Sequence, residues 1–125
     1  MMIFDPIRVV TRRKKNGLGI HFGVQFPSGE VVDITIDEGY RQISKREFAD
    51  GEAVAVTREI PWNHGLFVRG RFDELRRNPR KYDLLNWNCE TFAEYLTSGV
   101  AKSTQAVGVL LLIGAAIVFA IAARS

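Results

Sequence analysis

A cysteine, a histidine and an aspartate in this 125-residue chain stand where together they could do nucleophilic chemistry. Cys89 is the only cysteine, inside the run Trp87-Asn88-Cys89-Glu90-Thr91-Phe92-Ala93, and the run reads as the start of a helix. Asn88 is a good N-cap residue, and Cys89, Phe92, Ala93 and Leu96 recur at helical spacing behind it. A helix N-terminus carries roughly half a positive charge on unpaired backbone N–H groups. That charge favours the thiolate, the form of cysteine that attacks carbonyls. The same cysteine also fits a small buried hydrophobe with no catalytic duty.

A thiol nucleophile needs a base within hydrogen-bond reach, and the base needs a group to orient it. The chain offers two histidines. His21 lies in a segment where Leu18, Ile20, Phe22, Val24 and Phe26 alternate with smaller or polar residues, so it points away from the apolar face. Gly19 and Gly23 flank it on its own face and leave room there for a substrate or a facing helix. His64 sits in a loop among Trp62, Asn63 and Gly65. Asp33 interrupts the apolar strand Val31-Val32-Asp33-Ile34, joined to the His21 strand through Pro27-Ser28-Gly29. Antiparallel neighbours come within about 5 Å, and a turn at those residues sets Asp33 diagonal to His21. An acid there could fix the imidazole tautomer, as the third member of a triad does. It equally fits an edge-strand carboxylate facing solvent.

The elements that must position these groups read as strands first and helices after. Strands are predicted at Ile7–Thr11, Leu18–Phe26, Val31–Ile36 and Ala53–Ile60, with a hairpin turn through Arg12–Gly17. Ser44–Asp50 reads as one helical turn with Ser44 and Glu47 at capping-box spacing. Pro61–Gly65 reads as a loop, Leu66–Asn78 as a helix ended by Pro79, and Asn88–Ser98 as the cysteine helix, stopped by Gly99. The fold class expected is α+β, a small antiparallel sheet packed on the helix that bears Cys89.

Residues 1–102 form the expected globular domain, and 103–125 an expected C-terminal transmembrane anchor. From Ala106 to Ala123 every residue is Ala, Val, Leu, Ile, Gly or Phe, and about 20 apolar helical residues span a bilayer's hydrocarbon core. A domain of about 100 residues is small to wrap such a helix as part of its core. Basic residues precede the segment while only Arg124 and Ser125 follow it, which places the domain on the cytoplasmic side of a single-pass anchor. One cysteine forms no internal disulfide, which fits a reducing compartment. The net charge of +3 is concentrated in the runs Arg12-Arg13-Lys14-Lys15 and Arg76, Arg77, Arg80, Lys81. Beside a bilayer, anionic headgroups explain such runs more simply than nucleic acid does, and a merely solvated face explains them as well.

Two stretches resemble a known family. His21-Phe22-Gly23-Val24 followed by Gly29-Glu30-Val31-Val32-Asp33 is similar to the histidine hairpin of the lecithin:retinol acyltransferase (LRAT) family. Tyr82-Asp83-Leu84-Leu85-Asn86-Trp87-Asn88-Cys89-Glu90-Thr91-Phe92 resembles that family's Asn-Cys-Glu-His-Phe signature with its lead-in, and Gly99, Ser103 and Gln105 also match. The resemblance implies a circularly permuted papain-like fold and acyl transfer without cofactor or metal. Cys89 would attack a phospholipid ester with His21 as base and Asp33 orienting it, and the Cys89 backbone N–H would be the oxyanion donor. The thioester so formed would pass its acyl group to water, an amine or a hydroxyl. Asn88, Gly23 and His64 are the candidate neighbours of the substrate. Thr91 stands where the signature has histidine, and Asp33 where vertebrate-type members have a second histidine. Two other functions remain open on the sequence: a papain-like cysteine peptidase or amidase, and a tail-anchored binding domain with an inert cysteine.

Overall fold

The computed structural model describes residues 4–15 and 19–102, and the chain there folds as an α+β domain. Five strands form one antiparallel sheet: β1 Ile7–Arg13, β2 Ile20–Gln25, β3 Val31–Thr35, β4 Gly39–Ile43 and β5 Ala55–Ile60. Their spatial order is β4-β3-β2-β1-β5, so β2, which carries His21, lies in the middle. Helix α1, Lys45–Ala49, follows β4. A 3-10 turn at Trp62–His64 leads into α2, Gly65–Arg77, and the last element among the described residues is α3, Cys89–Ser98.

Turn chemistry fixes the registers. Gly29 at φ 94° closes the β2–β3 hairpin, a conformation most side chains resist, and Val24 then pairs with Val32. Gly39 at φ 70° does the same for β3–β4 and sets Asp33 directly opposite Arg41. Strand β4 escapes the sequence reading because Gly-Tyr-Arg-Gln-Ile has no apolar alternation to reveal it. As an edge strand it is only half-buried. The segment expected as a loop at Pro61–Gly65 is instead helical from Trp62 onward.

The sheet is covered on both faces, unequally. Val9, Val24, Phe26, Val32 and Ile34 pack on α2 and α3 through Val68, Phe72, Leu75, Phe92, Ala93 and Leu96. Phe92 is wholly buried among the rings of Tyr40, Phe72 and Trp87, and burying one such side chain is worth about 1.5–3 kcal/mol. On the other face Val10 and Val31 sit under Phe48 of α1. That short helix holds its place through the capping box expected of Ser44 and Glu47.

Among the described residues no helix is long and apolar enough to cross a membrane. The anchor expected at 103–125 lies outside the described residues.

Candidate active site

His21 and Asp33 meet through the hairpin register. With Val24 opposite Val32, Gly23 falls opposite Asp33, and His21, one step further along the same face, lies diagonal to it. His21 Nε2 and Asp33 Oδ2 are 2.7 Å apart. Asp33 is 0% exposed and belongs to an interior strand, so the edge-strand reading of this carboxylate does not hold.

Cys89 comes from the opposite side of the sheet, and a break in the ladder lets it through. The Phe26 N–H bonds to the Glu30 carbonyl at 2.9 Å, so by the two-residue period the even residues of β2 aim their backbone groups at β3. The paired residues of β2 and β3 are Val24 with Val32 and Gln25 with Val31. Beyond them, the start of α3 takes the place of a β3 rung. The Cys89 thiol donates to the Ile20 carbonyl at 3.6 Å, and the sulfur is hydrogen-bonded to the Phe22 backbone and to the His21 ring. With Nε2 on Asp33, Nδ1 is the ring nitrogen left to face the sulfur.

These contacts set the ionisation of the three groups. Burial pushes the Cys89 thiol up, but the hydrogen bonds from His21 and Phe22 and the charges of His21 and Lys14 outweigh it and bring the thiol below its ordinary value. Burial pushes the His21 imidazole down, and its bonds to Asp33 and Cys89 raise it above its ordinary value. Burial alone would raise the Asp33 carboxyl, yet His21 and Arg41 together hold it low. The two shifts bring the Cys89 thiol and the His21 imidazole closer in proton affinity, with the Asp33 carboxylate behind the ring.

Helix α3 is started by a reciprocal cap. The Asn88 side chain accepts from the Glu90 and Thr91 N–H groups, each at 3.0 Å, while Thr91 Oγ1 accepts from the Asn88 N–H at 2.6 Å. Thr91 is thus a capping residue. Asn88 Nδ2 donates to the Leu84 carbonyl at 2.8 Å, so Asn88 is committed to the scaffold.

Three contributors went unread in the sequence. Arg41 grips Asp33 with two donors, Nε to Oδ1 at 2.8 Å and Nη2 to Oδ2 at 2.6 Å; the turn signal Asp37-Glu38-Gly39 would have revealed the pairing. Phe48 stacks on the His21 ring, centroids 5.3 Å apart. Tyr82 is hydrogen-bonded to the Cys89 backbone N–H, the group expected to donate to an oxyanion.

Of the expected neighbours of the substrate, Gly23 is covered by another element and His64 lies elsewhere. A Cβ on Gly23 would stand 2.7 Å from Phe48 and 2.8 Å from Val31. The space above Gly23 is therefore filled by α1, and the glycine serves that close approach. His64 lines a separate pocket with Phe67, Arg71, Thr97 and Ser98, at the far end of α3 from Cys89. It is not brought to the site because its 3-10 turn leads into α2, which packs beside α3.

A cleft of about 340 Å³ opens beside His21, lined by Ile34, Thr35, Ile36, Tyr82, Arg12, Lys14 and Lys15. It combines an apolar wall with cations. Among the described residues no group of three or more His, Cys, Asp or Glu side chains could hold a metal ion. No protein-family model matches the chain, and neither the curated proteins nor the solved structures provide a significant match.

Proposed function

We propose that this protein is a membrane-anchored thiol acyltransferase or phospholipase A of the LRAT type, with a circularly permuted papain-like arrangement and a single C-terminal transmembrane helix that keeps the domain cytoplasmic. The observation that carries this reading is the Cys89–His21–Asp33 chain, with His21 bonded to Asp33 at 2.7 Å and to the sulfur on its other side. The Cys89 thiolate attacks the ester carbonyl, and the tetrahedral oxygen takes the Cys89 N–H in place of the Tyr82 hydroxyl. As the C–O bond breaks, His21 passes its proton to the departing lysolipid oxygen and the acyl group stays on sulfur. Water or another acceptor then gives its proton to His21, attacks the thioester and returns the thiolate. The cleft supports an amphiphilic substrate: Ile34, Ile36 and Tyr82 suit acyl chain, and Arg12, Lys14 and Lys15 suit a phosphate headgroup.

Cys89→Ala and His21→Ala are each expected to abolish release of fatty acid from phospholipid vesicles while the urea unfolding transition stays cooperative. Full activity in either variant overturns the proposal. Peptide and phospholipid substrates assayed side by side decide between ester and amide chemistry. One observation favours a non-enzymatic binding domain, namely that Cys89 is only 1% exposed. A thiol that resists alkylation in the folded protein across the pH range supports that reading.

A further inference from the structure

One oxygen of Asp33 meets two nitrogen groups, the Arg41 guanidinium and the His21 ring. Arg41 Nη2 reaches Oδ2 at 2.6 Å, and His21 Nε2 reaches the same atom at 2.7 Å. The carboxylate is wholly buried, and Arg41 lies directly across from it on the edge strand β4. Arg41 Nε takes Oδ1 at 2.8 Å, so the guanidinium holds both oxygens and fixes the plane of the carboxylate. We infer that Arg41 is a positioning residue of this site, one that pins Asp33 for His21 and sets the pH window in which His21 can pass a proton to and from Cys89 and the substrate. The inference rests on the acyl-transfer reading for its catalytic consequence but not for its ionisation consequence.

A buried carboxylate with no partner but the imidazole would bind an imidazolium so firmly that His21 would release its proton only at high pH. A base that must both give and take a proton works best with a proton affinity near the working pH. Arg41 stays charged throughout, so it neutralises much of Asp33 and repels a second positive charge on the shared oxygen. It thereby draws the His21 window downward, while its fork keeps the carboxylate ionised against burial.

Other charges face this cluster from the surrounding elements. Arg12 of β1 pairs across from His21, with its guanidinium turned to the Phe48 carbonyl at 2.6 Å. Cys89 of α3 faces the ring, and Lys14 acts on the sulfur. Tyr82, before α3, feels the Cys89 charge. Glu38 lies 3.7 Å from Arg41, and Glu47 of α1 acts on Arg41 from further away. Of these, Arg41 alone shares an atom of Asp33 with His21, so its removal acts on the imidazole most directly.

The test follows the His21 imidazole by NMR across pH, using full-length protein in detergent micelles. The chain has two histidines, and His64→Asn assigns them. Arg41→Met is expected to raise the His21 midpoint by about one pH unit. Arg41→Lys, which keeps the charge, should restore most of the shift, and Asp33→Asn should move the midpoint the other way. Where Arg41→Met does not fold, Arg41→Gln carries the same expectation. A His21 midpoint unchanged in the charge-removing variants overturns the inference, as does a downward shift, and Arg41 is then only a brace for the sheet edge. Phospholipid deacylation is read separately, its alkaline limb expected to rise with the NMR midpoint. Wild type without lipid activity but with the NMR shift defeats the acyl-transfer reading and leaves the role of Arg41 standing.

Discussion

The imidazole of His21 is bonded on both sides, by Asp33 at Nε2 and by the Cys89 sulfur on its other flank, and stacked beneath Phe48. That arrangement decides the thiol's ionisation. With His21 present the thiol lies below its ordinary value, because the ring's hydrogen bond and charge help overcome burial. His21→Ala removes both and leaves burial opposed only by the Phe22 backbone and the Lys14 charge, so the thiol should titrate higher than in the wild type. The rate of iodoacetamide alkylation of the single cysteine, followed against pH by intact mass, checks this: the midpoint should rise in His21→Ala, and an unchanged midpoint means the ring does not activate the sulfur. Cys89, His21 and Asp33 were legible in the sequence because residue type, a helix cap and a short turn each leave a local signal. Arg41 left a weaker one. Its importance comes from a cross-strand partner, and β4 lacks the alternation that would announce a strand.

At the scale of elements, helix starts and hairpin turns read well, since caps and turn glycines act through neighbours in the chain. The Ser44–Glu47 box and the Gly99 stop appear as expected, with Gly99 at φ 80°. What did not read was the contact between elements: Phe48 over Gly23, and α3 reaching through the parted β2 and β3. Both depend on pairs far apart in sequence. The α3 cap also has a measurable cost. Asn88 is buried and accepts two backbone N–H groups, so Asn88→Ala should lower stability by about 1–2 kcal/mol. In urea unfolding that corresponds to a midpoint lower by about 1 M. An unchanged midpoint would mean that the N-terminus of α3 is held by tertiary packing alone.

Across the whole molecule, the sheet sets His21 and Asp33 on one face and Cys89 on a helix against the other, and the parted strands join them. The cleft beside His21 adds an apolar wall and three cations, and the apolar run from Ala106 to Ala123 stands a few residues beyond α3 in the chain. The proposed substrate, a phospholipid in the bilayer that this run would enter, suits both features. The most direct measurement of this proposal is the mass of the full-length protein after brief mixing with phosphatidylcholine vesicles. The expected result is a species heavier by one fatty acyl group, mapped to Cys89, released by neutral hydroxylamine and absent from Cys89→Ser. Fatty acid released by a Cys89→Ser variant at the wild-type rate, with no acyl group on the wild-type sulfur, would contradict it.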